Sequence, residues 1–277
     1  MAQPPGSSGA SGRPRLPDGS TPHSTRTYDY LLGGKDNYEA DRELMEENLA
    51  LTPDARVRVR AQRLFLARAV RTLVGGVGIR QLLDIGCGLP MPLLENVHEI
   101  AHRIAPGTRV AYVDNNPVAV AHMGALHTDD VHTAAFHGDL REPEAILRQA
   151  AKIEALDLTE PVGVLLVSVL HCLPEEDEPA ALLARLCAVL PPGSHVVATH
   201  ISADLDPRVA DVVRVWAKGA TPMVSRTRAQ LVRMLDGLEL LEPGLVPIHD
   251  WRPDGPGGPQ AGVTATGNAF GAVGRTP

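Results

Sequence analysis

The residues able to do chemistry fall in three short runs whose spacing is that of one site. Leu82-Leu83-Asp84-Ile85-Gly86-Cys87-Gly88 sets a carboxylate and two glycines at the end of an apolar run. Val110-Ala111-Tyr112-Val113-Asp114 ends in a second carboxylate, 26 residues after Gly88, and Gly138-Asp139-Leu140 supplies a third. Gly86 and Gly88 let a strand turn sharply into a helix and let a ligand approach bare backbone. Asp114, at the end of a neighbouring strand, can accept both hydroxyls of a ribose, with the neutral Asn115 beside it to touch ribose or base. Asp139 can accept from an exocyclic amine such as that of adenine, with Leu140 next to it. Together these residues read as a nucleoside site.

A dinucleotide fingerprint needs a third glycine three residues after the second, under the pyrophosphate. Met91 stands there, and Leu89-Pro90-Met91-Pro92 carries two prolines that delay the helix and offer no N–H groups to a diphosphate. Asp84 would repel a diphosphate but can hold an ammonium group, directly or through water. A ribose, an adenine and a cationic amino-acid tail describe S-adenosylmethionine.

The elements that must position these groups alternate. Strands are expected at 81–86, 109–114, 131–137, 161–168 and 194–201, as short apolar runs suited to burial on both faces. Helices are expected near 94–104, 116–126, 141–150 and 177–190. This β-α alternation implies a doubly wound, Rossmann-like parallel sheet with right-handed crossovers, ligands binding outside the carboxyl ends of its strands. Helices near 205–218 and 226–236 lead to weaker strands around 238–243 and 262–273. Upstream, Asp36 followed by Glu39 marks a helix start, and Thr52-Pro53 marks another. Val57, Ala61, Leu64 and Phe65 form the apolar stripe of the second, and the neighbouring row Arg56, Arg60 and Arg63 reads as a solvated face. Residues 1–21, almost free of apolar side chains, are expected to be a disordered tail.

Thr27-Tyr28-Asp29-Tyr30-Leu31-Leu32-Gly33-Gly34-Lys35-Asp36-Asn37-Tyr38, with Asp84-Ile85-Gly86-Cys87-Gly88-Leu89-Pro90 and Leu190-Pro191-Pro192-Gly193-Ser194, resembles an actinobacterial family of S-adenosyl methyltransferase-like proteins of undefined substrate. That family lies within the class I S-adenosylmethionine-dependent methyltransferases. The resemblance runs from about Pro22 to the C-terminus and implies one domain, 22–277, with a helical lid at 22–75 and a core at 76–277. It implies a seven-stranded sheet whose last strand is antiparallel. It also implies that the loop after the fourth strand, at Ser168, faces the cofactor while a side chain nearby lines the acceptor pocket.

Other chemistry is weighed against plainer roles. His171 can take a proton from an acceptor, its unperturbed pKa being ~6.5, or it can hydrogen-bond loop backbone. His200, His249 and Trp251 have no spacing argument. The segment from Tyr28 to Tyr38, with Gly33 and Gly34, is either a tight turn before a helix or a lid closing over the cofactor, in which Tyr28 and both glycines would touch it. Cys87 reads as a small residue tolerated in the glycine turn. His98-Glu99-Ile100-Ala101-His102 matches the zinc-protease string HExxH, but it lies on a packing helix without an evident third ligand, and no metal is expected.

The chain has 277 residues and a net charge of −7, enough for one large α/β domain. The charge disfavours a nucleic-acid backbone as partner. No apolar run approaches the ~20 residues of a membrane span, and no signal peptide is evident, so a cytoplasmic protein is expected. The expected activity is methyl transfer from S-adenosylmethionine to a small-molecule acceptor. The alternatives are a non-catalytic cofactor-binding or regulatory protein and, disfavoured by Met91, a nicotinamide-dependent oxidoreductase.

Overall fold

The structure is a computed structural model and describes residues 19–91, 94–126, 130–255 and 267–277. The tail at 1–18 and the first part of the expected final strand, 262–266, lie outside the described residues. Three helices come first: α1 (Ser24–Leu31), α2 (Glu39–Leu51) and α3 (Ala55–Arg71). The alternating unit follows as β1 (Gln81–Ile85), α4 (Val97–Ile104), β2 (Arg109–Asp114), α5 (Pro117–Leu126), β3 (Thr133–His137), α6 (Pro143–Lys152), β4 (Gly163–Leu166), α7 (Pro179–Val189) and β5 (His195–Ile201). The chain closes with α8 (Val209–Trp216), α9 (Arg228–Met234), β6 (Glu239–Leu240), β7 (Val246–Pro247) and β8 (Ala269–Arg275).

The strands pair in the order β3-β2-β1-β4-β5-β8-β6, with β7 also pairing β8. Strands β1 to β5 are parallel, and β8 runs antiparallel to β5 over its full length, from His195 opposite Arg275 to Ile201 opposite Ala269. The expectation of a doubly wound sheet with an antiparallel last strand holds. The described sheet has eight strands rather than seven because two short strands, β6 and β7, share one edge of β8. Two boundaries also move. Val131 is exposed, so β3 begins at Thr133. β4 stops at Leu166, and Ser168 beyond it has φ +63°, a turn conformation rather than a strand one.

Alternation along the strands builds two cores. Leu83, Ile85, Val113, Val164 and Val196 pack with residues of α6, α7 and α9. Leu82, Val110, Tyr112, Leu165 and Val197 face the other way, against α3 and α4. Along α3, the positions Ala55, Arg58, Gln62, Phe65 and Ala69 follow the i, i+3, i+4 rule of one helical face, and all five are buried. The expected stripe was offset at its start, since Val57 is exposed. The second half of α3 belongs to the sheet's core. Only α1, α2 and the first turns of α3 form a separate layer, in which Leu31, Leu44, Met45 and Ala55 pack on Val212, Val215 and Trp216 of α8.

Both expected helix starts shift for local reasons. α2 begins at Glu39, where Asp41 accepts the Tyr38 N–H at 2.9 Å, while the Asp36 N–H donates to Asp29. α3 begins after Asp54, because the Thr52 hydroxyl turns back to the Asn48 carbonyl.

Candidate active site

A cavity of about 360 Å³ opens at the carboxyl ends of β1 to β5, under the layer made by α1 to α3. The glycine turn forms its floor. Gly86 and Gly88 have φ of +76° and +69°, and a Cβ on Gly86 would stand 2.8 Å from the Val169 side chain. The turn is anchored by Gly86 and Cys87 N–H groups donating to the Val113 carbonyl. Cys87 lines the cavity, but burial, with Asp114 and Asp84 nearby, pushes its thiol well above the ordinary value. It is therefore no thiolate nucleophile.

Asp114 lies at the end of β2 with its carboxylate on the cavity. One oxygen accepts the Gly88 N–H at 2.9 Å and the other accepts the Asn116 N–H at 2.8 Å. Each oxygen keeps acceptor capacity for a hydroxyl. Burial raises its pKa above the ordinary carboxylate value, against those two hydrogen bonds. Asp139 follows β3. Burial works to raise it, but the Arg141 N–H, the Asn115 amide at 3.1 Å and the Arg141 guanidinium together hold it below its ordinary value. Asn115 and Leu140 line the cavity with it.

Asp84 is placed differently from the other carboxylates. It is 5 % exposed, beneath the turn rather than on the cavity wall. Burial, with Asp114 adding to it and Arg63 opposing, raises its pKa to about 7. Arg63 lies on the cavity wall, and its buried Nε has no hydrogen-bond partner. The reading of Arg63 as part of a solvated row is corrected: only one edge of α3 is solvated, and Arg63 is turned inward at the end beside the glycine turn.

The segment before the sheet divides in two. Tyr28 lines the cavity, with its hydroxyl donating to the Val59 carbonyl. Gly33 and Gly34 do not line it. They end α1: the Gly33 N–H donates to the Tyr30 carbonyl and the Gly34 N–H to the Asp29 carbonyl, the paired bonds of a Schellman motif. A Cβ on Gly34 would meet an Asp29 carboxylate oxygen at 1.9 Å. Their requirement for glycine is thus met by helix termination, not by a ligand. His23, unremarked in the sequence, begins α1 on the cavity wall, and its Nδ1 accepts from Asn116 Nδ2 at 3.4 Å.

Beyond β4, Ser168 and His171 reach the cavity. Ser168 combines a left-handed backbone with a buried hydroxyl beside that of Tyr28, while its N–H donates to the Thr199 hydroxyl. Such strain in a non-glycine residue collects at functional sites. His171 is buried, and burial, with His200 and Arg226 nearby, lowers its pKa to about 3. It is neutral near pH 7 and a poor base, contrary to the expectation of a general base with a pKa near neutrality. Its Nδ1 has no partner. His200 is held by Arg226 at 3.0 Å and by the Ile201 carbonyl at 2.7 Å. His249 and Trp251 lie away from the cavity lining.

The HExxH string has structural partners. Glu99 accepts the Asn96 N–H that begins α4, His98 meets the Tyr112 hydroxyl at 2.8 Å, and His102 meets the Thr108 carbonyl at 2.8 Å. Among the described residues, no group of three or more His, Cys, Asp or Glu side chains could hold a metal.

These groups fit S-adenosylmethionine. Two carboxylates with free acceptor capacity sit over β2 and β3, and a tight glycine turn approaches bare backbone. Beside the turn, an acid and an unpartnered guanidinium nitrogen match the ammonium and carboxylate of an amino-acid tail.

Comparison with known proteins agrees. No protein of curated function matches the chain. A protein of the DUF574 family from Streptomyces avermitilis is 37% identical, over 93% of this chain and 98% of its own, with a TM-score of 0.85. A candidate methyltransferase from Thermobifida fusca is 35% identical, over 93% and 96%, also at 0.85. The family described as S-adenosyl methyltransferase matches residues 11–277. The chain belongs to that family of S-adenosylmethionine-dependent methyltransferases.

Proposed function

We propose that this methyltransferase acts on a small-molecule acceptor in the cytoplasm of an actinobacterium, and that 22–277 works as one domain. What supports the reading most is the cavity at the carboxyl ends of the strands, in which Asp114, Asp139 and the glycine turn share one space with an apolar region under α8. The bound cofactor supplies an activated methyl group on a sulfonium. Asp114 holds the ribose hydroxyls, and Asn115, Asp139 and Leu140 surround the base. Arg63, on the cavity wall, holds the carboxylate of the amino-acid tail, and Asp84 attracts its ammonium from beneath the glycine turn. Tyr28 and Ser168 close over the centre of the site, where excluding water and aligning the acceptor give most of the rate. α1 and α2 form the lid, with Tyr28 as its contact. Gly33 and Gly34 act only by ending the helix that carries it.

Among the described residues no helix is long and apolar enough to cross a membrane, and the net charge of −7 disfavours nucleic acid. The test is transfer of labelled methyl from S-adenosylmethionine in the presence of host extract split by size. Label should enter the small-molecule fraction only with active protein. Label confined to protein or RNA would reject a small-molecule acceptor.

A further inference from the structure

The cofactor reading leaves half of the cavity unused. The three carboxylates belong to β1, β2 and β3. The remaining wall lies over β4 and β5, on the other side of the switch point, and is made by the start of α3, by α8 and by the loop at 220–223. Its surface is mostly apolar: Leu31, Val59, Val212, Trp216 and Met223 all line it. Among the polar side chains that interrupt it, which include Asn48, Thr52 and Thr221, Arg58 and Gln62 carry buried atoms without a hydrogen-bond partner.

Both occupy the buried face of α3 where the periodicity asks for apolar residues, one turn apart, at 5 % and 4 % exposure. Arg58 is pinned by Asp54 and Asp206 through Nε and Nη2, and its buried Nη1 has no hydrogen-bond partner. Gln62 Oε1 is likewise buried and without a partner. Leaving a buried donor or acceptor unmatched is costly, so two such atoms one helical turn apart in residues of a cavity wall mark a place where a ligand completes the bonding. Neither bonds to the groups assigned to the cofactor. The ion pairs fix the Arg58 plane and leave Nη1 as its one nitrogen without a partner, a preorganised donor in a residue that lines the cavity.

We propose that the methyl acceptor is a flat, largely apolar molecule whose far edge carries a carboxamide, its oxygen accepting from Arg58 Nη1 and its N–H donating to Gln62 Oε1. The ring system lies against Trp216, Met223 and Val212, and the edge turned toward β4 presents the atom to be methylated. A planar oxygen on the far edge accepts from Arg58, and an amide on the same edge can bond both partners at once. Arg58 and Arg63 on one wall disfavour an ammonium group in that position. This inference rests on the assignment of the β1–β3 half to the cofactor.

The probes are benzoate and 2-naphthoate, their carboxamides and the matching arylmethylamines, titrated by calorimetry into protein saturated with S-adenosylhomocysteine. The carboxamides should bind at least about tenfold tighter than the amines, the scale of one hydrogen bond to a charged group, and tighter than the acids, which have no N–H for Gln62 Oε1. Acid binding tighter than carboxamide would show that Gln62 Oε1 takes no part and would overturn the proposal. Gln62→Leu should weaken the preferred class about tenfold without changing S-adenosylhomocysteine affinity or the unfolding midpoint, since Gln62 has no partner within the fold to lose. Amines binding as well as the carboxamides, absence of binding by all probes, or unchanged binding in Gln62→Leu would overturn the proposal. Failure of S-adenosylhomocysteine itself to bind would overturn the cofactor assignment instead, and the same titration reads it separately.

Discussion

Asp84 and His171 show how burial changes what a side chain can do. Each was legible in the sequence as a titratable group at a strand end, but its ionisation was not, because desolvation depends on what packs around it. Asp84 has a folded-state pKa of about 7 against an ordinary 3.8. Between those values the folded protein binds more protons at this site than the unfolded chain. Its contribution to stability therefore falls as pH rises through that window. Asp84→Asn should flatten the pH dependence of unfolding between about 4 and 7, measured by urea titration of the free protein. An ionised Asp84 also attracts the ammonium of the cofactor tail, so affinity for S-adenosylhomocysteine should rise as pH passes 7 in the native protein and less so in the variant. Equal pH dependence in both would remove Asp84 from the tail site. For His171, a pKa of about 3 puts its titration outside the working range. His171→Gln should lower turnover by about tenfold or less, rather than the 100-fold or more of a lost general base. A loss of that larger size, with a rate limb near pH 6.5 that the variant abolishes, would restore the base.

The helices that cover the site were harder to read than those that flank the sheet. α4, α6 and α7 bury apolar residues at helical spacing, so their pattern announces them. α1 does not: it buries Arg26, Thr27, Asp29 and Leu31, and its residues gave a choice between a tight turn and a lid, with a helix there only as the resemblance implied. What holds it is polar. Asp41, fully buried at the start of α2, accepts from the His23 N–H, Arg26 Nε and the Tyr38 N–H. Likewise the cavity face of α3 was hidden because Arg58 and Gln62 break the apolar stripe that Phe65 and Ala69 continue. The available signal was their register with those residues, not their type. Asp41→Ala would strand the buried Arg26 charge, a loss of about 3–5 kcal/mol for a pair of this kind. Because the pair joins α1 to α2, away from the sheet cores, the cost should appear as detachment of α1. Affinity for S-adenosylhomocysteine should fall with Tyr28 displaced, while circular dichroism retains the sheet. Unchanged affinity in a variant whose α1 has become protease-sensitive would show that α1 is not part of a lid.

At the scale of the whole molecule, the parallel sheet was readable because β1, β2, β4 and β5 are short, mostly apolar runs buried almost throughout, and right-handed crossovers leave few topologies. The far edge was legible only in part: β6 falls within the strand expected around 238–243, while β7 was not read, since a two-residue strand carries too little pattern to register. That edge is remote from the site, so the cofactor end of the fold was legible where the chemistry lies. The central claim is that the glycine turn and Asp114 form a nucleoside site without a diphosphate cradle. Calorimetric titration of the full chain with S-adenosylhomocysteine, NAD and NADP, in the native protein and in Asp114→Ala, tests it most directly. The account predicts micromolar or tighter binding of S-adenosylhomocysteine, on the order of −8 kcal/mol, and none measurable for either dinucleotide. It predicts a loss of roughly 1.5–3 kcal/mol in Asp114→Ala. Tighter binding of NAD or NADP than of S-adenosylhomocysteine, or native affinity in Asp114→Ala, would contradict it.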